Sequence, residues 1–127
     1  MSEPEHLLHQ MDMRDVEDSA DRLIVEMDNR PHFTNNRGAL QGGLVATLID
    51  CAAGRFAANF IRADQQVTTA DMHINFLAPI MTGPAQAEAT IVRAGKRLIV
   101  LAVDVTDAGA ERLAARATLT FAVLDPR

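Results

Sequence analysis

Residues 42–60 contain the feature that most constrains the fold, a long apolar helix with almost no charge. Apolar side chains recur at intervals of three and four residues, which predicts an α-helix from Gly42 to Phe60. Asp50 is the only charged residue between Gly42 and Gly54. A helix on a protein surface normally carries several charges on its outward face. We therefore expect this helix to be covered on nearly all sides.

Short strand-like runs flank this helix. Residues 22–28 precede it and are followed by a loop over residues 29–39 that is rich in Asn, Pro and Gly. Four further runs follow the helix, over residues 67–77, 85–94, 97–106 and 113–123. Because short connections favour antiparallel neighbours, we expect these four strands to form a meander. The apolar face of such a sheet needs a cover. The sequence thus predicts an α+β fold in which an antiparallel sheet curls around one central helix.

The chain has the length of one domain, and its charge is unevenly distributed. Of its 127 residues, 48% are hydrophobic and 23% are charged, a balance typical of a folded globular domain. Residues 1–30 hold nine acidic and three basic residues, whereas the rest of the chain holds eight and nine. We expect residues 1–19 to be an acidic N-terminal segment, with a short helix within residues 5–20. Residues 20–127 then form the single folded domain.

The composition disfavours several classes of protein. The net charge of −5 argues against nucleic acid as the main partner. No apolar run is long enough for a transmembrane span, and the acidic start of the chain does not resemble a signal peptide. The single cysteine, Cys51, cannot form an internal disulfide, which fits the cytoplasm. His6 and His9 have no apparent third ligand, so we expect no metal site.

The junction between the loop and the long helix is a candidate binding site. Gly42 and Gly43 open the helix, and glycine lets a ligand approach the backbone closely. The first N–H groups of a helix lack internal partners and lie at the positive end of its dipole. They can therefore polarise a carbonyl or hold an oxyanion. The alternative is that the two glycines only permit tight packing at a turn.

Asp50 is a second candidate, because its neighbours on the helix are small and leave room for a ligand. A buried carboxylate needs a partner or a function, and the alternative is a structural Asp hydrogen-bonded at an interface. Gly42 and Asp50 lie roughly 12 Å apart along the helix, whereas reacting groups must approach within about 3.5 Å. Two antiparallel copies of the helix would bring Gly42 of one chain beside Asp50 of the other. This predicts a two-fold dimer with composite sites.

Three segments resemble the hotdog-fold thioesterases of the phenylacetic-acid-degradation (PaaI-like) type. They are GALQGGLVATLIDCAAG, TTADMHINFLAP and RAGKRLIVLAVDV, and the resemblance covers about residues 20–124. It implies a hotdog fold and hydrolysis of an acyl-CoA thioester without a metal. Coenzyme A is then part of the substrate, and no separate cofactor is expected. We expect a cytoplasmic homo-oligomer, either a dimer or a dimer of dimers.

The resemblance extends to the residues of the family's active site. The family pattern is Asn, a short spacer, His-Gly-Gly, then an Asp further along the helix and a Ser or Thr on the next strand. The matching positions in this chain are Asn35, Gly42, Gly43, Asp50 and Thr69. Gln41 replaces the histidine of the pattern. Because the side chain of glutamine does not gain or lose a proton near neutral pH, we expect it to orient the substrate and not to act as an acid or base.

These matches imply a catalytic mechanism. The N–H of Gly42 polarises the thioester carbonyl, and Asp50 of the partner subunit attacks it or activates a water molecule. Asn35 and Gln41 position the acyl group or the water, and Thr69 holds the acid or the water. The substrate-binding set that we expect comprises Gly43, His73, Arg93, Lys96 and Arg97. The basic residues would meet the phosphates of coenzyme A, although a solvated hairpin turn is the alternative.

Other functions fit parts of the same pattern. A non-catalytic protein that binds or senses acyl-CoA or an acyl carrier would use the same pocket but would not need Asp50. A hydratase or dehydratase would need a histidine where Gln41 stands. Cys51 lies next to Asp50 but has no paired histidine in the helix, so we interpret it as a small packing residue and not as a nucleophile.

Overall fold

The computed structural model describes residues 5–127, which form one six-stranded antiparallel sheet and one long helix. The helices are α1 (Leu7–Gln10) and α2 (Gly42–Ala57), with single 3-10 turns at Pro31–Phe33 and Ala58–Phe60. The strands are β1 (Arg14–Asp18), β2 (Leu23–Met27), β3 (Gln66–Phe76), β4 (Ala85–Ala94), β5 (Leu98–Asp107) and β6 (Arg112–Leu124). The predicted α+β class is confirmed, and the predicted strands match β2 to β6 to within one or two residues.

The order of strands in the sheet differs from the predicted meander. The sheet runs β1-β2-β4-β5-β6-β3, so β4, β5 and β6 form a meander but β3 pairs with β6 and not with β4. The prediction of a four-strand meander is therefore wrong for its first strand. The connection 77–84 is long enough to cross the roughly 14 Å between β3 and β4. It passes β6 on the way, where the N–H groups of Leu77 and Ala78 donate to the carbonyl of Ala114 at 2.8 and 3.1 Å.

Helix α2 packs on one face of the sheet and contacts strands β2 to β6. Leu48, Ile49 and Phe56 on this helix are fully buried. The facing positions of the sheet include several fully buried alanines, whose small side chains let the helix lie close to the strands: Ala85, Ala87 and Ala89. The expectation of nearly complete cover is only partly met within one chain, because Gly43 and Asp50 keep part of their surface exposed.

The N-terminal segment is partly strand and not all helix. The predicted helix within residues 5–20 is confirmed only for Leu7–Gln10. The positive φ of 51° at Asp12 turns the chain, and β1 then pairs with β2. Arg14 forms ion pairs with Glu26 (2.9 Å) and Asp28 (3.0 Å), so part of the acidic charge is paired across the edge of the sheet. No helix within residues 5–127 is long and apolar enough to cross a membrane.

Candidate active site

The first residues of α2 face a cavity of about 540 Å³. Gln41 occupies the N-cap position with an extended backbone, and its side chain does not cap the helix. Within residues 5–127, neither Gly42 nor Gly43 donates its N–H to another backbone group. The cavity is lined on its apolar side mainly by Val45, Phe76, Leu77, Ile80 and Met81. Two free helix N–H groups therefore lie at or beside the mouth of an apolar cavity, as expected for a site that polarises a carbonyl.

The loop before α2 is held by hydrogen bonds of its own backbone and of Asn35. The Oδ1 atom of Asn35 accepts from the N–H groups of Arg37 (2.9 Å) and Ala39 (3.2 Å). The N–H of Leu40 donates to the carbonyl of Ile80 at 3.0 Å. Asn35 lines the Gly42 cavity, but its oxygen is occupied in shaping this loop. Its predicted contact with the substrate stays a prediction, and only the side-chain amide nitrogen is left for it.

Asp107 holds the opposite wall of the Gly42 cavity and was not among the predicted site residues. Its carboxylate is fully buried and accepts hydrogen bonds from the N–H groups of Met81 (3.1 Å), Thr82 (3.2 Å) and Gly83 (2.7 Å). Burial acts to raise the pKa of Asp107, but these backbone hydrogen bonds outweigh it and hold the pKa below its ordinary value. No local sequence signal marks this role, because the partners lie 24 to 26 residues away.

Asp50 lies about two turns further along α2 and is held by Thr69. The hydroxyl of Thr69 donates to Oδ1 of Asp50 at 2.7 Å, and no described residue donates to Oδ2. Both residues line a second cavity of about 490 Å³, which opens beside the middle of the helix. One carboxylate oxygen is thus fixed by a hydroxyl, while the other has no hydrogen-bond donor among the described residues. This arrangement suits a carboxylate that attacks a carbonyl or activates a water molecule.

A β-bulge explains why Thr69 reaches Asp50. The register of β3 against β6 shifts between Thr69 and Asp71, so that Thr69 pairs with Phe121 and Met72 pairs with Leu119. Cross-strand partners share a face of the sheet, and both Phe121 and Leu119 are buried against the helix. Simple alternation along the strand would place Thr69 and Met72 on opposite faces. The extra residue turns Thr69 toward the helix, a use of bulges that is common near active sites.

Cys51 shares the Asp50 cavity but is a poor nucleophile. Burial raises the pKa of the Cys51 thiol, and the negative charge of Asp50 raises it further. A raised thiol pKa lowers the fraction of the reactive thiolate at neutral pH. This supports the interpretation of Cys51 as a packing residue.

The structure brings some predicted residues together and separates others. Asp50 and Thr69 form one group, whereas Asn35 and Gly42 form another, and the two cavities share no lining residue. The remaining predicted substrate-binding side chains line neither cavity and are exposed: His73, Arg93, Lys96 and Arg97. The basic residues lie around the β4–β5 hairpin, at the same end of the sheet as Thr69.

Several residues of the two cavities were not predicted. Arg37 lines the Gly42 cavity and adds a positive charge to it. Leu8 and Met13 from the N-terminal segment line the Asp50 cavity. Arg37 lies within the predicted loop over residues 29–39. Nothing in the sequence placed the N-terminal segment beside α2.

His6 has a structural role at the start of helix α1. Nδ1 of His6 accepts a hydrogen bond from the N–H of Leu8 at 3.2 Å and so caps α1. In the part of the chain that the structure describes, no group of three or more His, Cys, Asp or Glu side chains is placed to hold a metal ion.

Comparison with known proteins shows the family to which this chain belongs. Residues 37–114, more than half of the chain, match the model of the thioesterase superfamily. Acyl-coenzyme A thioesterase 13 of Mus musculus is 31% identical over 102 residues, which is 80% of this chain and 72% of the mouse protein. The chain belongs to the thioesterase superfamily. The thioesterase family predicted from the segments around Gly42 and Asp50 is thus confirmed, whereas the PaaI-like type stays a prediction.

Solved structures agree with this assignment. A thioesterase family protein from Silicibacter pomeroyi superposes with a TM-score of 0.87, is 26% identical, and covers 95% of this chain and 90% of its own. A Bacillus halodurans protein, solved with CoA, superposes with a TM-score of 0.76 and 30% identity over 80% of this chain and 66% of its own. The fold is the hotdog fold, in agreement with the prediction.

Proposed function

We propose that the chain is an acyl-CoA thioesterase of the PaaI-like type. The observation that carries this proposal is the pairing of Thr69 with one oxygen of Asp50, which leaves the other oxygen free beside a largely apolar cavity. The mouse relative is named an acyl-coenzyme A thioesterase, and the Bacillus halodurans structure contains CoA. Both support coenzyme A as the thiol part of the substrate.

The reaction needs an activated oxygen, a polarised carbonyl and a leaving thiolate. Either a water molecule that gives its proton to Asp50, or Asp50 itself, attacks the carbonyl carbon. The N–H of Gly42 stabilises the oxyanion that forms. The C–S bond then breaks, and CoA leaves as a thiolate, which needs no strong acid because a thiol has a pKa of about 8.5. If Asp50 attacks directly, water hydrolyses the resulting anhydride and releases the free acid. Gln41 orients the substrate through hydrogen bonds, a role that requires no proton transfer.

The two reacting groups are proposed to meet across a two-fold axis. Gly42 and Asp50 lie in separate cavities on one chain, roughly 12 Å apart along α2. Within the described residues, β3 pairs only with β6, so its other edge is open over Gln66–Phe76. Met72 and Phe76 on this strand are 39% and 57% exposed. An open strand edge with exposed apolar side chains suits pairing with a second copy of the chain. A dimer of this kind, or a dimer of such dimers, would complete each site.

The remaining predicted residues contribute to substrate binding in this proposal. Gly43 follows Gly42 at the start of α2. A Cβ added at Gly43 would meet no atom within 4 Å, so the space beside this residue is open. Arg93, Lys96 and Arg97 are exposed at the Asp50 end of the sheet and form no ion pair with described residues. Their unpaired charges suit the phosphates of CoA. His73 is exposed on the open strand β3, which forms the proposed interface between the two chains.

The test is release of free thiol from a panel of aryl and short to long aliphatic acyl-CoA thioesters. We expect wild-type protein to hydrolyse at least one class. Asp50→Asn should lower kcat by at least about 100-fold, roughly 2.7 kcal/mol of barrier, because the amide neither accepts a proton nor attacks. Cys51→Ala is the matched control, since it changes the adjacent residue of the same cavity and should leave kcat within about threefold.

The same experiment separates the enzyme from a binding protein. If neither protein releases thiol from any thioester while both bind acyl-CoA tightly, the carboxylate has no catalytic role. The chain would then be a hotdog protein that binds or senses acyl-CoA or an acyl carrier.

A further inference from the structure

The wall of the Asp50 cavity is built partly by the N-terminal segment. Leu8 of α1 and Met13, which precedes β1, face this cavity together with Val67 and Phe121 from the sheet. Both N-terminal side chains are half-buried and pack against the core. The cavity exposes more apolar than polar surface around one carboxylate. A chain segment outside the sheet core therefore determines how far the cavity extends from Asp50.

Two anchors hold this wall in place. Met11, between Leu8 and Met13, is only 2% exposed and is part of the hydrophobic core. Asp15 forms a bidentate ion pair with Arg55, which projects from α2 and itself lines the cavity. The hydrogen-bonded guanidinium of Arg55 holds the pKa of Asp15 below its ordinary value, so the pair is charged at neutral pH. The wall is thus fixed to the same helix that carries Asp50.

A glycine of α2 also lines this cavity. Gly54 lies one turn beyond Asp50, and a Cβ added there would come within 3.2 Å of Cε1 of Phe121. This contact is tight enough that the Phe121 ring would have to move by a few tenths of an ångström. An alanine at this position would consequently narrow the cavity, whereas truncation of Leu8 or Met13 would widen it.

We propose that Leu8 and Met13 form the wall that limits the size of the acyl group bound beside Asp50. This inference rests on the proposed function. The thioester carbonyl must lie at the free oxygen of Asp50, so one arm of the substrate occupies this cavity. The apolar lining suits a hydrocarbon or aryl group, because the amides and phosphates of CoA would lose their hydration there without compensating hydrogen bonds. The acyl arm is therefore the occupant.

The test compares acyl-length profiles of four single variants with that of wild type. Met13→Ala and Leu8→Ala should raise the ratio of kcat/KM for longer over shorter acyl-CoA thioesters by about tenfold. Gly54→Ala should lower the same ratio by a similar factor. Leu7→Ala is the matched control, because Leu7 is 66% exposed on α1, adjacent to Leu8, and does not line the cavity. It should leave the ratio unchanged. Thermal unfolding establishes that each variant is folded.

A binding experiment separates this inference from the proposed catalysis. Affinities for alkyl-CoA thioethers of increasing length, which cannot be hydrolysed, should shift with the same variants and in the same directions. If thioether binding shifts but no protein hydrolyses any thioester, the wall is supported and the thioesterase proposal fails. If hydrolysis occurs but widening and narrowing variants keep the wild-type length profile in both assays, the wall is overturned. Absence of any dependence of binding on alkyl length would overturn it as well.

Discussion

The Gly42 end and the Asp50 end of helix α2 are held in place by different kinds of contact. At the Gly42 end, backbone hydrogen bonds and the buried carboxylate of Asp107 hold the loops that surround the helix start. At the Asp50 end, side chains make the contacts that hold the structure. Thr69 donates a hydrogen bond to Asp50, and Arg55 forms an ion pair with Asp15. These side chains are partly exposed, and the residues come from an edge strand and from the N-terminal segment.

This difference matches the tasks that we propose for the two ends. An oxyanion site needs donors that do not reorganise during the reaction, and backbone groups in a braced loop meet that need. The acid and the acyl wall must instead accommodate the substrate. Exposed ion pairs contribute little stability, typically 1 kcal/mol or less, so the Asp50 end can adapt at small cost. We therefore expect substitutions that remove the brace of the Gly42 loop to affect folding, and those at the Asp50 end to affect activity.

The largest effect expected from this comparison is on stability, at Asp107. Asp107→Ala leaves three backbone N–H groups of residues 81–83 without their acceptor in a buried position. We expect the free energy of unfolding to fall by about 3 kcal/mol, measured by urea denaturation. Asp104→Ala on the same strand removes only an exposed ion pair with Arg116 and should cost about 1 kcal/mol or less. Equal losses in the two variants would show that Asp107 does not brace the loop.

The effect of Asp107 should also depend on pH. Because its folded pKa lies below the unfolded value of about 3.9, the ionised carboxylate stabilises the fold fully above that value. The contribution is lost as pH falls through the lower folded pKa. The stability difference between wild type and Asp107→Asn should therefore be constant from about pH 5 to pH 8 and shrink toward the acid limit. A difference that grew on acidification would contradict a depressed pKa.

A second prediction tests whether the two ends work together across chains. Gly42→Pro removes the polarising N–H at the first position of α2, where proline is well tolerated, and the extended backbone of Gln41 suits a following proline. Gly42→Pro and Asp50→Asn should each be nearly inactive alone. Refolded together, they form heterodimers in which one site has both native groups. Thiol release should recover to about one quarter of wild type, at least about 25-fold above either parent.

The control for this experiment is Gly42→Ala, which keeps the N–H. A Cβ there would lie 3.6 Å from the Phe76 ring, an ordinary contact, so the variant should retain most activity. If the mixture of Gly42→Pro and Asp50→Asn stays as inactive as its parents while mixed dimers form, the two groups do not act across chains.

Much of the fold could be predicted from the sequence because its signals are local. The spacing of apolar residues located α2, and short strand-like runs of residues located β2 to β6. The position of β3 depends on which distant strand it pairs with, and the connection 77–84 allows more than one choice. The brace at Asp107 depends on a loop more than twenty residues away.

The orientation of Thr69 shows how the resemblance and the pattern can disagree. The resemblance predicted Thr69 beside the acid, whereas strict alternation placed it on the face of the strand opposite to Met72. The bulge accounts for the observed orientation, because it adds one residue between Thr69 and Asp71. Thr69 and Met72 therefore lie on the same face of the strand, toward the helix. A single inserted residue in a pairing register leaves no signal in the hydrophobic pattern.

The smallest effect that we predict in this comparison is on Thr69. Thr69→Val removes the donor to Oδ1 of Asp50 and keeps the shape of the side chain. Because a hydrogen bond to a carboxylate contributes about 1.5 to 3 kcal/mol, part of which water can replace at this exposed position, kcat should fall about tenfold. Unfolding in urea should be nearly unchanged, since the strand keeps its pairing with β6.

Thr69→Ser restores the hydroxyl and should recover most of the lost rate, which a purely structural role for the threonine methyl group would not predict. If Thr69→Ser stays as slow as Thr69→Val, the hydroxyl has no catalytic role, and the loss in Thr69→Val comes from a change in packing.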